Sequence, residues 1–125
     1  MSLENVRLSQ QGKEQLIKLK RLTGITQWNT LCRWALCTSL ADPSMPLVRE
    51  ITTDSNVEMS WKTFAGPYGD VYLALLKDRC LSDGLDTTKD DLQRVLNMHM
   101  HRGIGHLAGD PDVRTVEDFV GTSLS

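Results

Sequence analysis

The stretch Gln27–Leu40 constrains this chain most, because its apolar side chains spread over far more than one stripe of a helix. Trp28, Leu31, Cys32, Ala35 and Ser39 share one side at helical spacing, and Trp34, Leu36 and Leu40 widen it. A helix apolar over much of its circumference is buried from several directions. In a chain of 125 residues, enough for one core and one domain over 1–125, that pattern points toward self-association. Asp42-Pro43-Ser44-Met45-Pro46 ends the helix, since proline cannot continue it.

The segments before it have equally definite punctuation. Asn5–Leu8 reads as a short extended piece, with Val6 and Leu8 on one side and Arg7 on the other. Ser9 is a good N-cap for a helix over Gln10–Thr23, whose buried stripe is predicted to be Leu16, Ile17, Leu19 and Leu22. Lys13, Lys18, Lys20 and Arg21 take its wet face, and Gly24 closes it. Thr26 is predicted to cap the second helix.

Beyond Pro46, Leu47–Thr53 and Val57–Phe64 are predicted to pair as a β-hairpin around Asp54-Ser55-Asn56, because Val57, Met59 and Trp61 alternate with polar residues. Tyr68–Leu81 reads as a helix with Val71, Tyr72, Leu75 and Leu76 inward. Thr88 caps a further helix with Asp90 and Asp91 in its first turn, and Leu92, Val95, Leu96, His99 and Gly103 fall on one face. Gly103, Gly105 and Gly109 leave its end open, and Thr115–Val120 reads as a last short helix. The expected fold is mainly α: a compact helical domain with a ribbon-helix-helix-like N-terminal unit and a small β-hairpin.

Charge is distributed unevenly although the net value is only −2. Residues 1–50 carry seven Lys/Arg against four Asp/Glu, and residues 51–125 carry seven against twelve. An acidic partner would prefer the first half. No apolar run approaches the ~20 residues of a membrane span, and no apolar leader follows Met1, so a cytoplasmic location is expected. Cys32, Cys37 and Cys80 include no Cys-x-x-Cys pair and read as reduced thiols packed as small hydrophobes.

Signatures of catalysis are weak. His99, His101 and His106 lack the i, i+4 spacing and the supporting Cys or carboxylate of a metal site, so no metal or cofactor is expected. Phosphate-binding loops and nucleophile elbows are missing from the sequence. Persulfide carriage would need an activated, accessible thiolate; Cys80, between Arg79 and a loop, is the least unsuitable of the three. The chain is therefore not expected to be an enzyme.

An extended segment, a capped helix, Gly24-Ile25-Thr26 and a second helix together resemble a ribbon-helix-helix DNA-binding unit. In that arrangement Arg7 is the outward strand residue, Thr26 and Gln27 face a phosphate at a helix N-terminus, and Lys13, Lys18, Lys20 and Arg21 face the DNA backbone. The run Leu8-Ser9-Gln10-Gln11-Gly12-Lys13-Glu14-Gln15-Leu16-Ile17-Lys18-Leu19-Lys20-Arg21, with Trp28, Cys32, Trp34 and Cys37 downstream, is similar to the DndE family of the bacterial DNA phosphorothioation system. Glu58–Gly66 and His99–Gly105 extend the likeness over most of the chain.

The resemblance implies a small, mostly helical, homotetrameric protein that binds double-stranded DNA, nicked DNA included, through surface lysines. It also implies work alongside an ATPase and sulfur-transfer subunits. The primary expectation is a DNA-backbone-binding accessory subunit. A protein–protein adaptor bridging the ATPase and sulfur-transfer subunits is the alternative, and a thiol-based sulfur carrier is a distant third.

Overall fold

Helix formation begins where Ser9 stands in extended backbone and its hydroxyl accepts the Gly12 N–H at 3.0 Å. The resulting helix α1 spans Gln10–Thr23, and Gly24, at φ 77°, closes it by returning its N–H to the Lys20 carbonyl. Immediately upstream lies strand β1 (Val6–Arg7), and α2 (Trp28–Leu40) follows α1. The computed structural model describes residues 3–46 and 51–110. Further on come β2 (Glu58–Met59), α3 (Trp61–Ala65), a 3-10 turn at Gly66–Tyr68, α4 (Gly69–Ser82) and α5 (Lys89–Gly109).

The architecture is mainly helical with one small antiparallel sheet, as expected, but the strands have different partners. β1 pairs with β2 in the register Val6↔Met59 and Arg7↔Glu58. The predicted hairpin partner falls partly outside the described residues, and its remaining stretch, 51–53, is not strand. The second predicted strand stops at Met59, because Ser60 caps a new helix by accepting the Thr63 N–H at 3.1 Å. β1 is thus engaged by its own chain, with Val6 and Leu8 fully buried beneath it.

The core sits between α2 and α5. Leu31, Cys32, Ala35 and Leu36 of α2 meet Leu92, Val95, Leu96, Met100 and Ile104 of α5, and all are nearly or fully buried. Much of the apolar circumference of α2 is therefore covered within the chain. At Gly103 the two helices approach backbone to backbone: a Cβ there would overlap the carbonyl group of Ala35. The glycines therefore do not end α5, which continues to Gly109 and buries Ile104, Leu107 and Ala108.

The C-terminus of α2 is closed by two arginines from other helices. Arg79 of α4 donates to the Leu40 carbonyl at 2.6 Å, and Arg102 of α5 donates to the Ser39 carbonyl at 2.9 Å. Both place a cation at the negative end of the helix dipole. Arg102 also donates to the Ser39 hydroxyl at 2.8 Å, which leaves that hydroxyl proton for His99 Nδ1 at 2.8 Å. Burial of His99, with Arg79 and Arg102 nearby and Asp42 opposing them, pushes its pKa down to about 4.

A pH dependence follows. The folded state binds fewer protons at His99 than the unfolded chain does between the ordinary value of 6.5 and about 4. Stability from neutral His99 is complete above pH 6.5 and is lost as pH falls toward 4, by roughly 2–3 kcal/mol. Denaturant melts of the protein and of His99→Gln across pH 4–7 measure it; the variant is expected to lose that part of the slope.

Two predicted faces shift. In α1 the buried set is Gly12, Leu16, Leu19 and Thr23, while Ile17 stays 48% exposed. In α4 it is Leu73, Leu76 and Cys80, leaving Val71 56% and Leu75 43% exposed. Apolar residues lie on several sides of α4, so spacing alone could not select the inward one. The predicted helix at Thr115–Val120 lies outside the described residues. Among the described residues no helix is long and apolar enough to cross a membrane.

Candidate nucleic-acid interface

The seven residues that the sequence assigns to DNA divide into separate groups. Lys13 and Lys20 lie seven positions apart on α1, within about 20° of one another around the helix. Lys18 lies roughly 140° away from Lys13 on the same helix. Its ammonium donates to the Ala108 carbonyl at 2.9 Å, in the last turn of α5, where a cation satisfies a carbonyl that the helix itself leaves open. Lys18 therefore closes a helix end, and only Lys13, Lys20 and the residues around them share a surface.

That surface contains a groove of about 510 Å³ between α1, the start of α2 and the segment through β2. Lys13, Gln27, Trp28, Asn29, Asn56, Glu58 and Thr63 contribute to its walls. Lys13 Nζ donates to Asn56 Oδ1 at 2.6 Å. Lys20 Nζ rests 3.9 Å from the centre of a Trp28 ring, a cation–π contact that holds the charge beside the groove. Asn29 Nδ2 donates to the Thr63 carbonyl at 3.1 Å and ties α2 to α3.

The remaining assignments are peripheral. Arg7 is exposed on β1, but its Nε donates to the Ser55 carbonyl at 2.8 Å and pins the turn before β2. Arg21 and Thr26 are exposed. Thr26 does not cap α2: Gln27 is the N-cap and makes no side-chain capping bond, because the helix starts one residue later than expected. The first turn of α2 also lacks an acidic residue, so its N–H groups keep their preference for an acceptor.

Sequence reasoning missed Trp28, Asn29 and Asn56 as site residues. Trp28 reads as core in a helical pattern, and only its place under Lys20 reveals a second role. Asn56 reads as turn chemistry, and no local signal announces that its turn folds onto α1.

The thiols are poor nucleophiles as placed. Cys32 is buried and its pKa is pushed up to about 12 by desolvation. Cys80, the preferred carrier candidate, is fully buried, and desolvation with Asp91 and Asp83 nearby pushes it up. Cys37 is exposed, contrary to its expected packing, yet desolvation raises it too, against a hydrogen bond from Tyr72. His101 is built into the fold: its Nε2 accepts the Ser9 N–H at 3.1 Å and its Nδ1 lies 2.8 Å from the Asn97 carbonyl. Among the described residues no three His, Cys, Asp or Glu side chains gather as metal ligands.

The fold and the site define a small, mainly helical domain with a lysine-flanked groove. The family model described as DNA sulphur modification protein DndE matches residues 5–115, and the chain belongs to that family.

Among solved structures it is similar to DndE from Escherichia coli B7A, described as involved in DNA phosphorothioation modification. That pair is 25% identical with a TM-score of 0.70, covering 86% of this chain and 98% of the other. A glycine-to-lysine DndE mutant shares the fold at 20% identity and a TM-score of 0.65, with coverages of 85% and 99%. No curated protein sequence matches.

Proposed function

We propose that this protein is a non-catalytic, DNA-backbone-binding subunit of the phosphorothioation machinery, acting in the cytoplasm as a homotetramer and preferring nicked double-stranded DNA. The observation that supports the reading is the placement of Lys13 and Lys20 on one side of α1, Lys13 in the wall of the groove and Lys20 beside it over Trp28, in a chain of this family. Lysine ammonium groups suit phosphate as point charges, and such contacts hold DNA without selecting a sequence. Repeating a small basic patch in a tetramer supplies avidity that a monomer of net charge −2 lacks. A nick adds a flexible joint, which a shaped surface recognises through deformability.

A second reading rests on α4. Val71 and Leu75 on one side of it, with Tyr68 just before its first turn, form an exposed stripe. That stripe suits either contacts between copies or an adaptor role toward the ATPase and sulfur-transfer subunits. Titrating matched intact and nicked duplexes with the purified protein separates the two readings. Tighter binding to the nicked duplex by a tetrameric species supports the DNA-holding role. Absence of DNA binding near physiological salt transfers the function to the adaptor.

A further inference from the structure

The walls of the groove beside Lys13 carry more acceptors than a phosphate site tolerates. Asn29 commits its Nδ2 to Thr63, leaving its Oδ1 uncommitted among the described residues. Glu58 uses Oε1 for Asn5 at 3.0 Å, leaving its second carboxylate oxygen. Asn56 uses Oδ1 for Lys13, leaving its amide N–H groups. Gln27 spends neither end of its side chain on capping. The result is a mixed set of donors and acceptors with Lys13 among them, beside an indole that carries the Lys20 ammonium on its ring.

Phosphate asks for donors alone, and a carboxylate in the wall repels it. A nucleobase edge presents donors and acceptors together, and its faces stack on aromatic rings. Asn and Gln amides match adenine, and a carboxylate accepts from an exocyclic amine. The volume, about 510 Å³, lies within the range of small-molecule sites.

We infer that the groove receives one unpaired nucleobase displaced from a duplex end or strand break, which takes the place of the Lys20 ammonium on the Trp28 ring and stacks there, with Asn29, Asn56 and Glu58 meeting its edge, while Lys13 and the released Lys20 engage the flanking backbone. This rests on the DNA-holding reading and deepens it, since it separates base recognition inside the groove from phosphate contact at its rim.

The test compares two nicked duplexes that carry a one-nucleotide flap, one with adenine and one abasic at the same backbone position. The full-length protein is expected to bind the adenine flap about tenfold more tightly. Trp28→Leu brings that ratio to about one, whatever it does to total affinity, and Trp28→Phe keeps most of it. Asn56→Asp, at an exposed turn, lowers the ratio without touching the core. Equal binding of both flaps by the unsubstituted protein overturns the inference while leaving the DNA-holding role intact, and points the groove toward a protein segment instead. No binding to any duplex overturns both.

Discussion

Gly103→Ala is expected to lower the melting temperature by about 10 °C or more, corresponding to about 3 kcal/mol, the upper end of overpacking costs. The added methyl enters the space of the Ala35 carbonyl, which is helix backbone and cannot rotate away as a side chain would. Relief requires α5 to move off α2, which loosens the burial of Leu31, Leu36, Met100 and Ile104 together. Gly105→Ala is the control. It lies two residues on in the same helix, a Cβ there meets nothing within 4 Å, and the change is expected to be neutral or stabilising by up to about 1 kcal/mol. Thermal melts of both variants read the contrast; equal melting temperatures would mean that α2 and α5 do not approach as described.

The second large effect is on DNA. Lys13→Glu, Lys20→Glu is expected to weaken duplex binding by about a hundredfold near 0.1 M salt, roughly a factor of ten for each reversed contact. Both residues lie on one side of α1, so their reversal removes one patch. Lys18→Glu is expected to behave oppositely. It leaves DNA affinity nearly unchanged but lowers stability by roughly 1 kcal/mol, because it sets an anion against the C-terminal end of α5. Fluorescence anisotropy with a labelled duplex, alongside melts of each variant, checks both halves. Comparable losses of affinity from Lys18→Glu would spread the DNA surface around the whole of α1.

Residues whose structural role is local were legible in the sequence. Ser9, Gly24 and Thr88 mark helix ends through their own backbone preferences, and the structure places caps at all three. The inward face of the first half of α5 was legible for the same reason: Leu92, Val95, Leu96 and His99 repeat at helical spacing and all are buried, whereas Met98, Met100 and His101, buried as well, follow no single stripe. Ser60 was misread, because alternation through Val57, Met59 and Trp61 outweighed a capping serine that ends the strand after two residues.

Long-range partners were beyond local pattern. Arg7 pairs with Glu58 in register, and nothing near either residue specifies the other. Lys13, Lys18, Lys20 and Arg21 looked equivalent as charges, yet only the packing of α5 against α1 shows that Lys18 is a cap. The groove has the same character. It exists because the turn at Asn56 folds onto α1, so its amide-rich wall could not be seen from charge and spacing.

The salt dependence of duplex binding by the unsubstituted protein tests the central claim most directly. Affinity for one nicked duplex would be measured by anisotropy from about 50 to 200 mM salt, a range over which released counterions dominate phosphate-mediated binding. A steep, linear fall of log K with log salt is predicted, with a slope made shallower in Lys13→Glu, Lys20→Glu and unchanged in Lys18→Glu. Absence of binding, or binding indifferent to salt, would contradict a role in holding the DNA backbone.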